Sequence, residues 1–97
     1  MPDSLSPRLA RFLEARYDGD AHAAAERLRA AHADGVADTQ DPERVLAALA
    51  IVGEGTLEGV DAALALARTD WRDLLVSAGL AHEDWPAVLD RLLGARG

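Results

Sequence analysis

Six times along this chain a serine, threonine or aspartate stands just before a stretch in which apolar residues recur at helical spacing: Ser6, Asp20, Asp41, Thr56, Asp70 and Asp84. Each side chain can accept a hydrogen bond from an amide two or three residues on, satisfying a donor that the first helical turn leaves open. Ser6-Pro7 and Asp41-Pro42 add proline at the first helical position, where its missing N–H is no loss and its fixed φ suits the turn. Stops follow at Asp18-Gly19, Gly35, Gly53, Gly79 and Gly94. The pattern predicts an all-α fold, a compact irregular bundle of five to six short helices forming one domain over residues 1–97, with residues 1–5 flexible.

The faces of these helices are legible as stripes. Leu9, Phe12, Leu13 and Arg16 share one side of the first helix, with Arg16 able to bury its aliphatic stem. Ala24, Ala25, Leu28 and Ala31 form a small face on the second; Val45, Leu46, Leu49 and Val52 mark the third; Leu57, Val60, Leu64 and Ala67 mark the fourth. Gly59 lies inside that fourth stripe. Either a partner helix passes close there or the cap begins later, since glycine weakens a helix interior by about 1 kcal/mol relative to alanine.

Composition agrees with helices. Alanine and leucine supply 36 residues, against one Ile, one Phe and one Tyr, so the β-branched and aromatic residues that suit strands are scarce. Cysteine is absent, which excludes disulfides and thiolate chemistry; lysine is absent too, which excludes lysine Schiff-base chemistry. The net charge of −7 is concentrated in residues 18–61, which carry ten acids against three arginines. An acidic middle with no basic stripe opposes nucleic-acid binding and attraction to anionic lipid. With no apolar run of membrane-spanning length and no signal-peptide pattern, the expected location is cytoplasmic.

The largest side chains are two tryptophans in an echoed pattern, Asp70-Trp71-Arg72-Asp73-Leu74-Leu75 and Asp84-Trp85-Pro86-Ala87-Val88-Leu89. Together with Ala78-Gly79-Leu80-Ala81, the segment Asp70–Gly94 resembles the C-terminal pattern of small all-helical proteins of unknown function from high-GC bacteria, a resemblance that implies no activity. Each tryptophan is either a staple holding a helical hairpin to the core or an interface anchor. Trp85 precedes a proline, which biases its backbone to extended geometry and sets it at a helix entrance, the more open of the two positions.

Reactive constellations are sparse. His22 and Glu26 have the i, i+4 spacing of two metal ligands, with Asp18 as a conceivable third, but histidine on an acidic helix surface is commonly just solvated. Asp18-Gly19-Asp20 begins like a calcium loop and lacks its remainder. No serine has a nucleophile-elbow context, and Gly53-Glu54-Gly55 places an acid where a phosphate loop would need none. The residues therefore point to a small non-enzymatic binding or regulatory module without catalytic, cofactor or metal residues, acting on a protein partner or on a second copy of itself. The candidate contact residues are Trp71, Trp85, Asp38, Asp41, Arg8, Arg11 and Arg16. The alternatives are an acidic, antidote-like inhibitor of a basic protein, and a metal or small-molecule binding domain.

Overall fold

The computed structural model describes residues 5–36 and 41–94. They form α1 (Pro7–Tyr17), a 3₁₀ turn (Asp18–Asp20), α2 (Ala21–Ala33), α3 (Pro42–Val52), α4 (Leu57–Ala78) and α5 (Trp85–Leu93), with no strand among the described residues. The all-α expectation holds. The upper expectation of six separate helices does not, because the stretches that begin at Thr56 and Asp70 are joined end to end in α4.

That junction explains itself locally. Asp70 leaves helical geometry (φ −155°, ψ 90°), and its Oδ1 accepts from the amides of Arg72 at 3.2 Å and Asp73 at 3.3 Å. The aspartate caps as its sequence context suggests, and a kink at this residue separates the capped helix from the one it follows without a loop between them. Ser6, Asp41 and Thr56 also cap through their side chains, accepting from Leu9, from Glu43 and Arg44, and from Gly59 respectively. Asp20 and Asp84 occupy cap positions without a side-chain bond to the helix, so at these two places the expected cap is positional only.

α3 is the centre of the bundle and touches α1, α2, α4 and α5. Val45 through Ala50 are all buried, so the helix has no solvent face there, although the sequence stripe assigned it one. A helix apolar on every side must be covered on every side. Alanines make that cover thin: Ala47, Ala48 and Ala50 on α3 meet a neighbour, α4, that buries Ala63 and Ala67. Leu28 of α2, Leu74 and Leu75 of α4, Leu80 of the following turn and Leu89 of α5 complete the core. Leu5, at the edge of the expected flexible segment, is itself packed in this core.

The end of α3 and the start of α4 come together through glycines. A Cβ on Gly59 would stand 2.1 Å from the carbonyl oxygen of Gly53, so the backbone of the first α4 turn lies directly on the end of α3. This settles the sequence puzzle at Gly59: another segment does pass close. Tyr17, at the end of α1, fills the neighbouring space and donates to the carbonyl of Ala50 at 2.7 Å. Burial pushes the phenol's pKa up, opposed by the Gly55 amide and by the charge of Arg16.

On α1 the inward face is Leu9, Leu13 and Tyr17, with Phe12 half-buried. Arg16 is an exposed residue whose guanidinium lies over the Phe12 ring, 5.4 Å from the centroid. The arginine that turns inward is Arg8, only 4% exposed.

Replacing Leu13, Leu49, Leu75 or Leu89 by alanine is expected to cost about 2–4 kcal/mol each in chemical denaturation, since each side chain is enclosed and alanine neighbours cannot collapse into the space. Gly59→Ala is expected to lower the midpoint as well, although alanine is the better helix former by about 1 kcal/mol, because the clash is with backbone that has no rotamer to change. An unchanged or raised midpoint for Gly59→Ala would show that the two helix ends are not in contact.

Candidate functional site

Burying Arg8 demands partners, and α3 and the end of α5 provide them. Its Nε donates to Glu43 Oε2 at 2.9 Å and its Nη2 to Glu43 Oε1 at 2.6 Å, a two-pronged fork on one carboxylate. Its Nη1 reaches Asp90 Oδ1 at 2.5 Å and the carbonyl of Gly94 at 3.1 Å. The Ser6 hydroxyl also donates to Glu43 Oε2. α1, α3 and α5 thus meet at one charge cluster, with Arg8 and Glu43 buried and Asp90 at its exposed edge. The hydrogen bonds to Glu43 raise the already high pKa of Arg8 despite the opposing effect of burial, so the guanidinium stays charged at any working pH. The sequence reading set Arg8 among surface contact residues. The structure places it inside, as a fastening.

The tryptophans are both half-buried, each packed against the core on one side. Trp85 is the first residue of α5, its amide donating to the His82 carbonyl, so the extended bias of a pre-proline residue is overridden here. The Arg44 guanidinium lies over the Trp85 ring, 5.2 Å from the centroid, while Arg44 Nε donates to the Leu80 carbonyl at 2.9 Å. Such stacking suits the flat, weakly hydrated guanidinium. Arg72 takes the same position over Trp71, at 5.3 Å.

Arg44 joins the two tryptophan regions. Between it and Trp71 runs an open groove of about 360 Å³, lined by Arg44, Trp71, Arg72, Leu75, Val76 and Ala81. Val76, on its edge, is 63% exposed, more than any other large apolar side chain among the described residues. A second shallow depression, lined by Val36, Ala67 and Arg68 among others, lies on the other side of Trp71. The indole of Trp71 is therefore a ridge between two concave surfaces. No sequence motif marks this groove. A signal was nevertheless present: three consecutive apolar residues, Leu74-Leu75-Val76, cannot all face the core from one helix, and Val76 is the one left outside.

The other sequence-nominated residues separate. Asp41 is exposed and caps α3, its Oδ1 accepting from Glu43 N at 3.0 Å and Arg44 N at 3.3 Å, so it supports the helix end from which Arg44 reaches Trp85. Asp38 lies outside the described residues. Arg11 and Arg16 are exposed on α1. Of the ten acids in residues 18–61, Glu26 pairs with Arg29, Asp34 with Arg68, Asp61 with Arg27 and Glu43 with Arg8, so part of the acidic field is neutralised internally.

His22 and His82 are exposed, and His32 is half-buried with its Nδ1 unpartnered. Among the described residues no three His, Asp or Glu side chains gather in a way that could hold a metal ion. No helix among them is long and apolar enough to cross a membrane. No family model matches the chain, and comparison with curated proteins and with solved structures finds no match.

The buried fork makes a sharp stability test. Arg8→Met alone is expected to destabilise the fold by about 3–5 kcal/mol, because the buried Glu43 carboxylate loses the guanidinium fork that compensates its charge. Adding Glu43→Leu to that variant is expected to recover most of the loss. Thermal melts in which the double variant is no better than the single would mean that the charges themselves hold α1 to α3.

Proposed function

We propose that this chain is a small non-enzymatic binding and regulatory module that works as a homodimer, with the groove beside Trp71 and Val76 as its self-association surface. The observation that carries the reading is the exposure of Val76 on the edge of an apolar groove whose rim holds cations, Arg44 and Arg72. Burying such a patch in a partner is favourable at roughly 25 cal/mol per Å² of apolar surface removed from water.

Charge selects a second copy over an unrelated protein. A two-fold interface is self-complementary and needs both signs around one apolar centre. The neighbourhood of the groove has both: Arg44 and Arg72 on its rim, exposed Asp73 next to Arg72, and exposed Glu83 and Asp84 shortly after Ala81. Residues 62–97 carry four arginines against five acids, so two such faces meet with little net repulsion. The stacked guanidiniums over Trp71 and Trp85 are held in place beforehand, which lowers the ordering cost of association.

The reading as an acidic, antidote-like inhibitor has less support, since four acids of the middle segment already have arginine partners.

Sedimentation velocity over a rising concentration series is the test. The wild-type chain is expected to pass from monomer to dimer, and Val76→Glu to remain monomeric while its thermal melt stays close to wild type, because an exposed position contributes within about 0.5 kcal/mol to folding. A wild-type chain that is still monomeric at millimolar concentration, or a Val76→Glu variant that dimerises as well as wild type, overturns the proposal.

A further inference from the structure

Of the exposed arginines that form no ion pair among the described residues, three gather on one face and Arg72 lies apart, over Trp71. Arg27, Arg29 and Arg68 are exposed or half-exposed and each is matched by a carboxylate. Among the described residues Arg11, Arg16 and Arg91 are exposed and form no ion pair. Arg16 and Arg91 flank a shallow open trough between α1 and α5 whose other walls are Phe12, Ala15 and Leu92. Arg11 lies one helical turn before Ala15 on the same side of α1. Leu92 is 44% exposed, so the floor of this basic trough is apolar and open to water.

Two physical features point to what it takes. First, unpaired cations in a chain of net charge −7 are a local exception that attracts carboxylates. Secondly, Arg16 is already laid over the Phe12 ring at 5.4 Å, which holds its donors outward at little further ordering cost. The same stacking covers a face of the only aromatic ring lining the trough, leaving no open platform for a nucleobase, and the acidic remainder of the chain repels a polyanion.

We infer that the α1–α5 trough docks an acidic amphipathic helix of a partner protein. Its leucine-sized side chains sit against Phe12, Ala15 and Leu92, and its carboxylates meet Arg11, Arg16 and Arg91. This is the helix-in-groove mode of recognition, with aliphatic anchors at i and i+4 and the charges along their flank. The surface is distinct from the groove beside Trp71, so the module pairs through one face and engages its partner through another.

The probe is a synthetic helical peptide with leucine at i, i+4 and i+7 and glutamate at the flanking positions, fluorescently labelled and titrated with the full chain by anisotropy. Saturable binding is expected, weakened about tenfold by Arg11→Gln/Arg91→Gln and reduced on raising the salt. Leu92→Ser, which alters no charge, is expected to weaken it as well. Val76→Glu is expected to leave peptide binding unchanged, so a failure of the dimer reading and a failure of this one are separable. The proposal is overturned if the peptide does not saturate, if both trough variants bind it like wild type, or if polyglutamate or a single-stranded oligonucleotide binds as tightly. It is equally overturned if the trough variants abolish dimerisation, since the face would then belong to a second copy.

Discussion

Six consecutive residues of α3, Val45–Ala50, are closed off from solvent, and the surrounding helices are arranged to make that possible. A short helix can be enclosed only if its neighbours come close on every side, and the alanines of α3 and α4 permit it. The approach is closest where Gly53 and Gly59 put backbone against backbone. The cost of this economy is a core with few large side chains, in which leucines from α1 through α5 are the main bulk. Tyr17 closes one end, its hydroxyl on the Ala50 carbonyl.

At the other end of α3 the solution is ionic. Glu43 in the first turn is favoured by the positive end of the helix, and Arg8 with Ser6 satisfies its remaining acceptor capacity. Charge in the interior is seldom a net source of stability, because desolvation of both ions offsets their attraction. Its effect is geometric. Leucines and alanines interlock in many registers with similar energy, whereas a forked guanidinium accepts one. Arg8 fixes α1 against α3 through Glu43, and α5 against both through Asp90 and the Gly94 carbonyl. The exposed faces of α1 and α5, with Arg16 and Leu92, derive their relative position from this cluster.

The local grammar of the chain was readable, and its tertiary partnerships were not. Ser6, Asp41, Thr56 and Asp70 cap through their side chains as the adjacent residues suggest. Asp70 does start a helix, but nothing local states that no loop separates it from its predecessor and that the two meet directly at a kink. Hydrophobic spacing alone cannot distinguish Arg8 from Arg16, two arginines a little over two turns apart, so it does not say that Arg8 is the one that turns inward. One clue did exist. Ser6-Pro7-Arg8 and Asp41-Pro42-Glu43 set opposite charges at the same position after equivalent caps, which is what two helix starts facing each other would need. The Trp71 groove was half legible: the aromatic anchor was evident, while Arg44 reaches it from a helix some thirty residues earlier in the chain, a relation without periodicity.

The break at Asp70 divides α4 into two cooperative units. A capped interruption stops the i→i−4 ladder, so unwinding that begins at Gly79 has a natural end at Asp70 and need not spread into the half seated on Gly53. The unit beyond it carries Trp71 and Val76 on its outer side and Leu74 and Leu75 on its inner side. Covering the outer side therefore restrains a segment able to open by itself. In amide hydrogen exchange the two halves of one helix would then respond differently to occupancy: protection beyond Asp70 rises with it, and protection before Asp70 is set by the bundle alone.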